Sequence, residues 1–154
     1  MNTHQQKLII EQIDRKFDKL KALNDIAIPD RGWIFSIRTV LKMSLRQLAS
    51  RLKISAQSVK EIEQREADGS ITLKSLREVA NALEMRVVYA VVPKDESIEM
   101  LIERKANEIA REIVLRTSNT MSLEDQKVSN ARIEKAIIEK AEEIKNKMPK
   151  YLWD

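Results

Sequence analysis

A mainly α-helical protein is what this chain predicts, and three observations carry the prediction. The stretch SLRQLASRLKISAQSVKEIEQRE, residues 44–66, reads as two short helices joined by a tight turn. Apolar residues recur at helical spacing on both sides of it, over residues 5–24 and again in the Glu-, Lys-, Arg-, Ile- and Ala-rich stretch after Pro93. A single run, VVYAVV, has the β-branched apolar character of a strand. The expected architecture is a helical bundle around the helix pair, with one short β-strand and a C-terminal helical hairpin.

Residues 5–24 set Leu8, Ile9, Ile13, Phe17, Leu20 and Leu23 on one side with Lys and Asp between them, an amphipathic helix filling an N-terminal segment, residues 1–30. The segment IAIPDRG, residues 26–32, interrupts it with proline and glycine. Trp33, Ile34, Ile37, Val40 and Leu41 then resume a helical stripe that ends at Met43 and should pack behind the helix pair. Ser44 is placed to cap the first helix of the pair, whose Leu45, Leu48, Ala49 and Leu52 share one apolar face. Ser55 restarts the chain as a second N-cap, and Val59 and Ile62 turn the second helix inward. EADGSI, residues 66–71, reads as a polar turn. Thr72 caps a further helix with Leu73, Leu76, Val79, Ala80 and Leu83 inward, which closes a domain spanning residues 31–85.

Val87, Val88, Tyr89, Ala90, Val91 and Val92 form the strand, ended by Pro93, within a connecting segment 86–93. A strand must pair its N–H and C=O groups. Residues 25–28 are one available partner; the same strand of a second copy is the other, and it makes the chain a homodimer. In residues 94–154, Ile98, Leu101, Ile102, Ile109 and Ile113 define one helix and Val128, Ala131, Ile137, Ala141 and Ile144 another. The polar link TSNTMS, residues 117–122, would make them a hairpin for partner binding or dimer extension. Lys135 with Glu139 and Glu143 with Lys147 are charge pairs at i, i+4. Tyr151 and Trp153 fall outside any expected core.

Composition narrows the function classes. The chain of 154 residues has no cysteine, which removes disulfides, thiolate chemistry and Cys-based zinc sites. His4 is the single histidine, and with only Gly32 and Gly69 no phosphate-cradling loop can be built. An enzyme is therefore not expected, nor a catalytic residue, a cofactor or a metal site. No stretch approaches the roughly 20 apolar residues that span a bilayer. The opening MNTHQQKLII carries charge and no leader-like apolar block, so a cytoplasmic protein without membrane contact is expected.

The outward face of the second helix of the pair reads as Ala56, Gln57, Lys60, Glu61 and Gln64. An amide can pair two-pronged with an adenine edge, a cation can take a phosphate or a guanine, and a carboxylate can accept from cytosine. Lys74 and Ser75, in the first turn of the next helix, form a phosphate clamp or an ordinary cap. The net charge of +4 is concentrated here: residues 31–93 carry 11 basic and 6 acidic side chains, whereas the flanking segments are balanced to within one charge. That is the sign of a surface meeting a phosphate backbone. A plain helical hairpin with a solvated outer face, on a merely basic domain, fits the same pattern.

Over residues 31–68, MSLRQLASRLKISAQSVKEIEQRE resembles the Cro and C1 repressor type of helix-turn-helix, the XRE family, in the LxxLA core of its first helix and the polar start of its second. Across nearly the whole chain, the order RGWIFSIR, MSLRQLASRL, SVKEIEQREADGSITLKSLREVANAL, VVYAVVP, TMSLEDQ and LWD resembles the mobile mystery protein A family. The first resemblance implies a Cro/C1-repressor-like bundle that contacts double-stranded DNA; together with the outward face of the helix pair and the phosphate clamp, the expected contact set is Arg46, Gln47, Ser55, Ala56, Gln57, Ser58, Lys60, Glu61, Arg65 and Lys74. Gln47 would lie near the phosphates and Gln57 at a base-reading position. Two departures bear on the readout: Leu45 stands where many relatives carry a phosphate-binding glutamine, and Ala56 where a polar base reader is frequent.

The second resemblance implies an antitoxin that represses its own operon and accompanies a Fic-domain protein. Fic proteins are commonly inhibited by a helix with Ser or Thr, three residues, Glu, then Gly or Asn. TMSLED, residues 120–125, matches all but the last position through Thr120 and Glu124. Ser122 as a helix N-cap with Glu124 and Asp125 on its dipole accounts for the same residues. A repressor, an antitoxin acting by contact through residues 94–154, and a helical adaptor without a DNA role are the readings left open.

Overall fold

The computed structural model describes residues 3–123 and 129–154, and the chain is mainly helical. Seven α-helices are seen among the described residues: α1 (Thr3–Leu20), α2 (Gly32–Val40), α3 (Leu45–Leu52), α4 (Ala56–Asp68), α5 (Leu73–Ala82), α6 (Ile98–Leu123) and α7 (Asn130–Lys147). Short 3-10 turns follow α1 at Lys21–Asp25 and α7 at Lys150–Trp153. The chain divides into two compact units, Leu23–Ala90 and the combination of Met1–Ala22 with Val91–Asp154.

In the unit Leu23–Ala90, Ile34, Leu48, Ala49, Val59, Val79 and Leu83 form the buried core, flanked by Ile37, Leu45, Leu52, Ile62 and Leu76. Each inward position of α3 and of the start of α4 follows from helical spacing. The caps do as well. Ser44 Oγ accepts from the Gln47 N–H at 3.2 Å while Gln47 Oε1 accepts from the Ser44 N–H at 2.7 Å, a reciprocal capping box. Ser55 and Thr72 cap α4 and α5 through the Ser58 and Ser75 N–H groups.

With so few glycines, the chain closes α2, α3 and α5 with Lys42, Lys53 and Glu84 in the left-handed region, at φ 55°, 57° and 59°. In each case the following N–H reaches back five residues, Met43 to the Arg38 carbonyl, Ile54 to Ala49 and Met85 to Ala80. At α3 this leaves only Lys53, Ile54 and Ser55 before α4 begins, so the turn is three residues long.

Two acidic side chains on α4 hold α2 in place. Glu63 receives Arg38 Nε at 2.5 Å and Nη2 at 3.1 Å, while Arg38 Nη1 donates to the Met43 carbonyl. Both side chains of this pair are nearly buried, at 12% and 8% exposure. Glu66 accepts from the Trp33 and Ile34 N–H groups, each at 2.8 Å, and so supplies the N-terminal cap that Arg31 does not.

Several expectations are corrected here. The polar turn at 66–71 begins later, because α4 runs to Asp68 and is closed by Gly69 at φ +80°. Trp33, Val40 and Leu41 are exposed, since α2 is nine residues long and turns only Ile34, Ile37 and Arg38 inward. No strand is formed among the described residues. Residues 87–92 run without regular structure, with Val88, Tyr89 and Val91 exposed, and neither they nor residues 25–28 find a ladder partner among the described residues. A strand exists only by pairing, so β-branched composition alone does not make one.

In the other unit, Ile102, Ala106 and Ala110 of α6 pack against Ile137, Ala141 and Ile144 of α7. Ala106 and Ala110, which the larger apolar stripe concealed, and Ala141, read as inward from sequence, let the two backbones approach. Leu152, 1% exposed, fastens the last 3-10 turn to this core and leaves Tyr151 and Trp153 outside it. Helix α1 adds Ile10, and its Asp14 carboxylate caps α6 by accepting from the Ile98 and Glu99 N–H groups.

The link expected at 117–122 is helical instead, and α6 continues to Leu123. Thr117 and Thr120 return their hydroxyl protons to the Ile113 and Arg116 carbonyls, which keeps polar residues inside the helix. Ser129, not Ser122, caps α7.

The exposed charge pairs of this unit predict an acid response. Glu143 accepts from Lys147 at 2.8 Å and from Lys140 at 2.9 Å. The two ammonium groups hold its carboxyl down at about 2 instead of the usual 4.5. The Arg104 guanidinium likewise holds Asp95 and Glu108 below the usual carboxylate range. A carboxylate whose pKa falls on folding stabilises the native state above its unfolded pKa, and the contribution is lost as pH drops toward the folded value. Thermal melts followed by circular dichroism are expected to show that loss between about pH 4.5 and pH 2. Its size should be small and should shrink further in salt, because the groups are solvated, and Glu143→Gln should flatten the profile.

Candidate nucleic-acid interface

The three-residue turn sets α4 so that one side faces the core and the other faces water. Val59, Ile62, Glu63 and Glu66 occupy the inward stripe; Gln57, Lys60, Glu61 and Gln64 are all exposed on the opposite one. Four polar side chains of three hydrogen-bonding types thus stand on consecutive turns of one helix face, and Arg65 is exposed beside them. Gln57 Nε2 donates to Glu61 Oε1 at 3.3 Å, so two of the expected site residues are joined.

The remaining expected residues are distributed as follows. Arg46 and Gln47 are exposed in the first turn of α3. The capping box occupies the Gln47 side-chain oxygen and leaves its two N–H donors for an outside acceptor. Ser55 and Ser58 serve the start of α4: the Ser55 hydroxyl caps the helix and lies 2.8 Å from the Ser58 hydroxyl. Ala56, expected outward, is half-buried and packs against the core. Lys74 is exposed in the first turn of α5, where Thr72 rather than Ser75 supplies the cap.

Charge is available at this surface. Within this unit the ion pairs among the described residues are Arg38 with Glu63 and Arg51 with Glu84. Arg46, Lys60, Arg65 and Lys74 are thus cations free to neutralise phosphates. Beside α3 an open hollow of about 380 Å³ is lined by Leu41, Lys42, Met43, Gln47, Ser50 and Arg51, which extends the basic, hydrogen-bonding surface past the residues expected from sequence. At the far end of α4, the Ser70 hydroxyl and N–H on Asp68 hold its carboxyl below the usual range.

Helical spacing alone misses Arg38, Glu63, Glu66 and Arg51, although a signal for two of them is present. Glu63 and Glu66 fall on the same stripe as Val59 and Ile62, and carboxylates on an apolar stripe require donors. Arg51 donates to the Ala82 carbonyl at 3.0 Å and so ties α3 to the end of α5.

The possible partner-binding pair is separated from this surface in the chain. Thr120 is exposed with its hydroxyl on the Arg116 carbonyl, and Glu124 lies outside the described residues. Among the described residues, no cluster of three His, Cys, Asp or Glu could hold a metal ion, and no helix is long and apolar enough to cross a membrane. Comparison with protein-family models, with curated proteins and with solved structures found no match to this chain.

Proposed function

We propose that this protein is a sequence-specific DNA-binding regulator of the Cro/C1 helix-turn-helix type, acting as a repressor. The observation that carries the reading is the α3–α4 pair: a three-residue turn, capped starts to both helices, and an exposed stripe on α4 of an amide, a cation, a carboxylate and a second amide. Helix α4 is the element that enters the major groove, while Arg46, Gln47 and Lys74 take phosphates. Residues 87–92, apolar, exposed from Val88 to Val92 and without ladder partners among the described residues, support a homodimer formed by pairing with the same segment of a second copy. Two copies would then meet half-sites about one helical turn, roughly 34 Å, apart.

Footprinting on the DNA upstream of its own gene, over a salt series, tests this reading. A protected inverted repeat is expected. Gln57→Ala should cost about 1–3 kcal/mol at one base position, and Lys74→Ala should lower affinity across all sequences and reduce the salt slope by about one. Absence of protection at low salt overturns the proposal.

The resemblance to the mobile mystery protein A family adds a partner. We infer that the protein also serves as antitoxin to a Fic-domain protein bound through residues 94–154. The exposed Tyr151 and Trp153, held in place by buried Leu152, favour a docking role for this end of the chain. Co-purification with the Fic-domain protein, lost on truncation after residue 93, is the expected result.

A further inference from the structure

We propose that Glu61 sets the base preference of α4 through Gln57, steering it toward adenine and against guanine. The inference rests on the DNA-binding reading above. Gln57 and Glu61 stand one helical turn apart on the exposed stripe, with Gln57 Nε2 donating to Glu61 Oε1 at 3.3 Å. A free glutamine amide can turn over and present either its oxygen or its nitrogen on a given side. With the nitrogen held at the carboxylate, one orientation is selected. One N–H is occupied by Glu61, and the oxygen and the second N–H remain. That pair matches adenine, which offers an N6 donor and an N7 acceptor in the major groove.

Guanine offers two acceptors at the same edge, O6 and N7, and a single remaining N–H cannot satisfy both. The carboxylate adds repulsion toward those lone pairs, so rejection of the wrong base comes from Glu61 and not only from a better fit to the right one. Neither Lys60 nor Arg65 forms an ion pair with Glu61 among the described residues, so its charge is not neutralised within α4. Glu61 acts here as a positioning residue, with Gln57 making the base contact.

The test is selection of bound sequences from a randomised duplex pool by the full chain, its Glu61→Gln form and its Glu61→Ala form. Binding of each to a scrambled duplex at low salt is measured in parallel. The native protein is expected to prefer adenine to guanine by roughly tenfold or more at one position of each half-site. Glu61→Gln retains a hydrogen-bond partner for Gln57 but not the charge, and should admit guanine to within about threefold of adenine; Glu61→Ala should lose the preference entirely. Scrambled-duplex affinity should rise at most a few-fold in both, as removal of one negative charge requires. An unchanged adenine-to-guanine ratio in Glu61→Gln, or selection of guanine by the native protein, overturns the role of Glu61 while leaving DNA binding intact. Failure of the native protein to bind any duplex at low salt overturns the DNA-binding reading and this inference together.

Discussion

Glu63→Ala is expected to destabilise the unit Leu23–Ala90 by about 3–5 kcal/mol, since Glu63 is the one buried charged side chain among the described residues. The carboxylate is 8% exposed and receives two guanidinium nitrogens of Arg38, itself 12% exposed. Removing it strands an arginine that still has to bond the Met43 carbonyl in a nearly water-free site. A stranded buried charge costs more than the pair ever contributed, because desolvation of the guanidinium is no longer offset. Urea unfolding of Glu63→Ala measures the loss. The double variant Arg38→Met with Glu63→Leu separates the explanations, since an apolar pair of similar volume should return stability close to the native value. Full loss persisting in the double variant would mean that the geometry of the Arg38 fork, rather than the stranded charge, holds α2 to α4.

Gly32→Ala is expected to cost about 2–4 kcal/mol, combining a left-handed backbone with two helix amides deprived of their acceptor. Gly32 has φ +82°, and a Cβ there would lie 2.7 Å from Glu66 Oε2. Glu66 is the acceptor for the Trp33 and Ile34 N–H groups, so the added methyl expels the N-terminal cap of α2. Chemical denaturation should show the loss, and hydrogen exchange should place it at the first turn of α2. Glu66→Gln separates the two contributions. It keeps an oxygen for one amide without touching the backbone of Gly32, and should cost about 1–2 kcal/mol. If Gly32→Ala proves no worse than Glu66→Gln, backbone strain is not a part of the effect.

Helices α3, α4 and α5 were legible at most positions, the exceptions being Leu73, expected inward but exposed, and Ala56, expected outward but half-buried against the core. Ser44, Ser55 and Thr72 cap them as their residue types and positions require, and Leu48, Ala49, Val59 and Val79 are buried as their spacing requires. The exposed Gln57, Lys60, Glu61 and Gln64 follow from the same periodicity, since the face opposite a buried stripe must be outward. Reading went wrong where a side chain replaced the expected local rule. Thr117 and Thr120 look like link residues, yet their hydroxyls bond back to the helix and α6 continues. Residues 87–92 have strand composition, yet no partner among the described residues to pair with.

The helices, the caps of α3, α4 and α5 and most inward faces are set by contacts three or four residues apart, and these can be counted along a chain. The junctions that turn those elements into a surface are not local: Arg38 meets Glu63 across 25 residues, and Trp33 meets Glu66 across 33. Whether a carboxylate on an apolar stripe finds a guanidinium, a helix amide or nothing depends on where another helix is packed. That is why the composition of the α4 face could be written down from sequence, while the partners by which Glu63 and Glu66 hold α4 to α2 came only from the fold.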